Sequence, residues 1–292
     1  MTNLSQDIKD KLKRLTAFEK IIALNIFIYV IGWFIWRLNE VTRDNSLDWI
    51  ALPKEFSDFI IKPWTIFTYG FAHVNFWHLA INMMILYFVG RSFSNLFNVK
   101  LSLNVFFLGI LAGGILFVLT SLLVPVEYFV SVSGIVGASA GVHAALIFLC
   151  TYMPDYEVRL VSFNLKLKYI AFVLVALDIL GLFGDNRGGN IAHIGGDVLG
   201  YFYATRLRQG TDIGKGFEKI VNGISSWFSK SSKGNLKTVY KKKKAFAGHT
   251  KEEFSEFNNQ KQIDIILDKI SKSGYDSLSS AEKEFLFKSG KK

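Results

Sequence analysis

Three hydrophobic stretches of this sequence carry side chains that could do chemistry. One holds Ser139 within Gly137-Ala138-Ser139-Ala140-Gly141. A second holds His73, His78 and Asn82 in the spacing His-x4-His-x3-Asn, and a third holds His193 in Ala192-His193-x2-Gly196-x3-Gly200. A serine hydroxyl becomes a nucleophile when a neutral imidazole within hydrogen-bond reach takes its proton, so Ser139 and His193 are candidates for a nucleophile–base pair. Backbone N–H groups at a helix start, with donors such as His78 and Asn82, suit the oxyanion that attack on a carbonyl would generate. His78 and Asn82 are four apart and share a helical face. Each residue alone has an ordinary reading. Serine among small residues is common packing material in membrane helices, and a membrane histidine can serve an interhelical hydrogen bond. Gly196 and Gly200, also four apart, form a small-xxx-small face for close helix approach.

The elements that must position these residues follow from composition. Half of the 292 residues are hydrophobic, 27 of them phenylalanine, and they come in long blocks. The chain therefore reads as an all-α membrane protein rather than a soluble domain. The spacing predicts spans at about Ile21–Trp36, Phe71–Val89, Leu103–Val124, Leu167–Phe183 and Asn190–Leu207, with a short fourth helix from Ser139 to Tyr152. The weakly apolar 126–138 segment before it implies a fourth helix that starts inside the membrane, which irregular backbone tolerates only where protein or a water cavity surrounds it. Depth supports a common site. Counted from Asp155, Arg206 and Arg91, residues Ser139, His193 and His78 each lie roughly 20–24 Å up their helices at about 1.5 Å per residue.

Six spans place both termini on one side, and the basic ends make that side cytoplasmic. The net charge of +10 lies mostly after Leu207. Beside a membrane this excess favours an anionic lipid surface over nucleic acid. The domain reading is a cytoplasmic arm at 1–18, a six-helix membrane domain at 19–207, a basic flexible linker at 208–260, and a small helical pair at 261–292. In the pair, Ser279-Ser280-Ala281-Glu282 matches a capping box and Gly274 ends the preceding helix. The single Cys150 permits no intrachain disulfide.

With these motifs in place, the sequence resembles the rhomboid family of intramembrane serine proteases over about residues 15–207. Gly137-Ala138-Ser139 fits the family's Gly-x-Ser-Gly motif, although Ala140 replaces the last glycine. His73, His78 and Asn82 match the second-span motif, and Ala192, His193, Gly196 and Gly200 match the sixth. The resemblance implies a Ser139–His193 dyad without a catalytic aspartate, and an oxyanion hole from the Ser139 N–H, His78 and Asn82. It implies that His73 supports the loop above the site, and that the substrates are single-span membrane proteins. His143 stands where the family usually has an aromatic that stacks on the catalytic histidine; a planar imidazole can stack likewise, or compete as a hydrogen-bond partner. The tail pair resembles an appendage of some bacterial rhomboids, and a bacterial plasma membrane is the expected location.

Two carboxylates fit this scheme less directly. Asp197 lies one turn past His193 on the cytoplasmic side, which suits a structural pairing, and Asp178 on the fifth span has no partner readable from the sequence. Other readings stay open: a non-catalytic rhomboid-like binder of transmembrane helices, or a metal or proton transporter using His73, His78, His143 and His193. No His-Glu-x-x-His sequence is present, and neither metal nor cofactor is expected.

Overall fold

The computed structural model describes residues 13–38, 44–125, 128, 134–160, 163–228, 263–271 and 274–289. It divides into two compact units, residues 1–230 and 231–292. Most of the expected N-terminal arm, most of the segment before Ser139, residues 229–260 of the expected linker and the first two residues of the expected pair lie outside the described residues.

The first unit is an all-α bundle. Helix α1 covers Ala17–Leu38, and the following loop carries strand β1 (Leu52–Pro53) and the short helices α2 (Phe56–Ile61) and α3 (Thr65–Thr68). Helix α4 covers Phe76–Leu96, and α5 covers Val99–Leu123. Strand β2 (Gly134–Ile135) pairs antiparallel with β1 and leads into α6 (Ser139–Tyr152). A hairpin of β3 (Glu157–Leu160) and β4 (Phe163–Lys166) precedes α7 (Leu167–Gly181), and α8 covers Arg187–Arg208. Helices α1 and α5 are each long and apolar enough to cross a bilayer. The stretch Thr65–Phe71 and α4 qualify together as a pair bent by 90°.

Local chemistry sets the helix starts. The Asn75 side chain accepts from the Trp77 and His78 N–H groups at 2.8 and 3.3 Å, an N-cap that begins α4 at Phe76. The expected second span at Phe71–Val89 is thereby shifted toward the C-terminus. His73 sits in the entry turn rather than on the helix of His78, and Arg91 lies within α4 rather than beyond its end. Asn98 caps α5 in the same way through the Leu101 N–H at 2.9 Å.

The core lies where α5, α6 and α8 meet, and α6 and α8 form its most closely packed pair. Small residues make this possible. A Cβ on Gly196 would overlap the Ala140 carbonyl oxygen, and one on Gly200 would overlap that of Ala144. A Cβ on Gly113 would come within 2.6 Å of the Ala140 Cβ and of the Ala192 oxygen. This is backbone-to-backbone packing that a single methyl would open.

Residues 214–228, expected to be tether, form helix α9 (Gly214–Phe228). Phe217, Ile220, Val221 and Ile224 recur at helical spacing within a Gly-, Ser- and Asn-rich stretch whose composition hides the pattern. The Asn104 amide donates to Glu218 at 2.8 Å, joining α9 to α5, while the Tyr203 hydroxyl donates to Asp212 at 2.5 Å.

The second unit contains helix α10 (residues 263–271) and helix α11 (Ser280–Ser289). The Ser279 N–H donates to Glu282 at 2.7 Å, and the Glu282 N–H donates to the Ser279 hydroxyl at 3.3 Å, closing a capping box. Lys269 reaches the same carboxylate at 2.9 Å and ties the two helices together.

Candidate active site

Ser139 is the first residue of α6, and the chain ahead of it explains why. Gly137 takes φ +133°, a conformation L side chains rarely adopt, and its N–H donates to the Tyr69 carbonyl at 3.0 Å. The Tyr69 hydroxyl in turn donates to the Ile110 carbonyl at 2.7 Å, anchoring this turn to α5. The Ala138 N–H donates to His73 Nε2 at 3.4 Å. His73 thus holds the backbone one residue ahead of the serine from the loop side, while its Nδ1 is buried without a partner among the described residues. As the first helical residue, Ser139 has an N–H with no acceptor one turn back.

The Ser139 Oγ lies 2.7 Å from His193 Nε2. On the other side of the ring, His193 Nδ1 lies 2.8 Å from Asp178 Oδ1. One tautomer satisfies both contacts: His193 donates from Nδ1 to the carboxylate and accepts at Nε2 from the hydroxyl. Serine, histidine and aspartate therefore form a continuous hydrogen-bonded chain across α6, α8 and α7.

His143, one turn along α6, stacks on His193 with ring centroids 4.2 Å apart and planes 17° from parallel. Its Nδ1 also lies 3.1 Å from Asp197 Oδ1 and 3.1 Å from Asp178 Oδ2. It hydrogen-bonds to Asp197, while Asp178 Oδ2 has no aligned donor among the described residues. Stacking and hydrogen bonding coexist, and the bond is made with Asp197 rather than in competition for Ser139. Helical side chains lean toward the N-terminus of their own helix, so the Asp197 carboxylate points back up α8 and meets His143 across the interface.

The oxyanion candidates sit on α4. The His78 ring packs against Gly137: a Cβ there would come within 2.7 Å of His78 Cε1 and 3.5 Å of Ser139 Oγ. The His73 and His78 rings meet edge-on at 5.1 Å. Asn82 is buried one turn along, and one amide proton goes to the His78 carbonyl at 2.9 Å, leaving the other available. Gly196 and Gly200 face the Ala140 and Ala144 backbone and bring α8 onto α6.

Among the described residues, His143, Asp178 and His193 have donor atoms within 4.8 Å of one another, a grouping different from the four histidines the sequence suggested. The two stacked rings are near-parallel, so their in-plane lone pairs lie in separate planes rather than converging on one point. The ring nitrogens face carboxylate oxygens at hydrogen-bonding distance, which is the simpler account of the cluster.

The rhomboid domain family matches residues 61–210, about half of the chain. The chain belongs to the rhomboid family. A family of unknown function, DUF6576, matches residues 255–291, the region of the second unit. Among curated proteins, this rhomboid is similar to the mitochondrial presenilin-associated rhomboid-like protein of Bos taurus. The two are 24% identical over 192 residues, covering 63% of this chain and 47% of the relative. The Homo sapiens protein of the same name is 24% identical over 198 residues, covering 63% of this chain and 46% of its own length. The chain thus spans about half the length of the curated relatives it matches. It is a membrane protein with apolar helices. The expectation of a bacterial plasma membrane has no support in those relatives, which are named as mitochondrial.

The sequence reading missed Asp178 as a partner of His193. The available signal was its type and place: the one carboxylate of a fifteen-residue helix that is apolar beyond Lys168 and Tyr169 at its start, where an ionisable group needs a partner.

Proposed function

We propose that this rhomboid is an intramembrane serine endopeptidase acting on single-span transmembrane proteins, with Ser139 as nucleophile and His193 as base. The observation that carries the reading is the 2.7 Å contact between Ser139 Oγ and His193 Nε2, at the start of a helix embedded in an apolar bundle. In the first step Ser139 attacks the scissile carbonyl as its proton passes to His193 Nε2. The tetrahedral oxyanion is held by the Ser139 N–H, His78 and the free amide proton of Asn82. Collapse breaks the C–N bond, and the His193 imidazolium returns its proton to the departing amine. Water then attacks the acyl-serine with the same histidine as base, releasing the carboxylate and regenerating Ser139.

Six bilayer crossings with both termini cytoplasmic complete this reading, on the charge distribution given above. The test is cleavage of a single-span protein by purified enzyme reconstituted in lipid vesicles. Wild type cuts it, and Ser139→Ala does not while keeping its thermal midpoint. Binding of the transmembrane substrate without cleavage, equal in wild type and Ser139→Ala, would instead mark a non-catalytic binder.

A further inference from the structure

We infer that Asp178 is a positioning residue for His193, and that the His143–Asp197 pair holds it in that role. The inference rests on the serine-protease reading above and replaces the implied dyad by a hydrogen-bonded triad. It starts from where Asp178 lies. Helix α7 buries only Leu167 and Asp178, and the neighbours Leu177, Ile179 and Leu180 are all exposed. A carboxylate turned inward from such a helix has no packing role to explain it, and burying it is costly unless its charge is answered. What answers it is the Nδ1–H of His193 at 2.8 Å.

That bond has a consequence for the base. An imidazole that donates from Nδ1 keeps Nε2 bare and aimed along the line to Ser139 Oγ, whereas the other tautomer would place a proton where the base must accept one. Asp178 thus selects the working tautomer and fixes the ring plane, while the His143 ring fixes the opposite face by stacking.

The charge arrangement points the same way. Asp178 and Asp197 each have 5% of the side chain exposed, and each keeps one buried oxygen without an aligned donor among the described residues. The ionisable groups facing His193 are Asp178 from α7, His143 from α6, Asp197 from its own helix and, beyond the serine, His78 from α4. Helix α5 carries no ionisable side chain other than Lys100 at its start. Two carboxylates and the one imidazole between them therefore lie on the side of His193 away from Ser139. Positive charge develops on that ring when the serine loses its proton, and preorganised charge of opposite sign stabilises it.

The test compares wild type, Asp178→Asn and Ser139→Ala in vesicles, using a cleavable single-span substrate and a fluorophosphonate that labels activated serine. Asp178→Asn is near-isosteric, and its amide can donate to Nδ1 and so favour the wrong tautomer. Its kcat and its labelling rate are expected to fall roughly 10²- to 10⁴-fold, with KM and thermal midpoint unchanged. Unchanged kcat in a folded Asp178→Asn protein overturns the inference while leaving the protease reading intact. Failure of wild type to label at Ser139 overturns both. Should the variant not fold, nitrogen NMR of wild type decides, with His193 assigned by difference from His193→Gln. A proton on Nδ1 supports the role, and a proton on Nε2 in the resting enzyme contradicts it.

Discussion

The α6–α8 interface and helix α7 contribute to the same hydrogen-bonded chain but are built on opposite principles. Between α6 and α8, glycines let backbones touch, so Ser139 and His193 are carried on two closely packed helices. Helix α7 presents Phe172, Leu177, Ile179 and Leu180 outward and buries little beyond its aspartate. The hydrogen-bonded Ser139–His193 pair sits on the two closely packed helices, and Asp178 arrives from the one that buries little. Stability and activity should therefore respond differently in the two regions.

The largest effect is expected from widening the closely packed interface. Gly196→Val places branched carbon atoms into the Ala140 backbone and should cost about 3 kcal/mol or more, with loss of cleavage; thermal unfolding in detergent and substrate turnover measure both. A milder break is Gly137→Ala. Its φ of +133° strains any L residue by about 1–3 kcal/mol, and the added Cβ crowds His78, so kcat should fall alongside stability. On α7, by contrast, Phe172→Ala removes a 74% exposed ring and should shift stability by no more than about 0.5 kcal/mol, with cleavage unchanged. If Phe172→Ala matched Gly196→Val in its effect, the contrast between the regions would be lost.

The smallest effect concerns the entry to α7. Lys168 donates to Asp155 at 2.8 Å, which holds the Asp155 carboxyl below its usual range. A depressed folded value means the pair supports the fold fully above the ordinary carboxylate range, and that support is lost as pH falls through the lowered value. Both side chains are exposed, so Lys168→Ala should change the thermal midpoint slightly near neutral pH, less at high salt, and not at all in strong acid.

Much of this was readable from residue types. The Ser139 start of α6 was legible because Gly134 and Gly137 interrupt an apolar run just ahead of it. The α8 face was legible because Gly196 and Gly200 recur at helical spacing. Asp178 was not legible as a partner, since the rotation of α7 depends on packing that its nearly uniform apolar sequence does not encode. The start of α4 was misplaced because the stretch from Tyr69 to Phe76 is apolar enough to read as helix, while the Asn75 cap overrides it. Helix α9 was hidden by tether-like composition around a sound apolar period.

In the proposed reaction Ser139, activated by His193, cuts peptide bonds within the membrane. The most direct measurement is cleavage of a single-span protein in lipid vesicles by wild type and by Ser139→Ala, with product mass locating the cut. A cut within the transmembrane segment by wild type and none by the variant is expected. Equal cleavage by both, or none by folded wild type across a panel of single-span proteins, would contradict it.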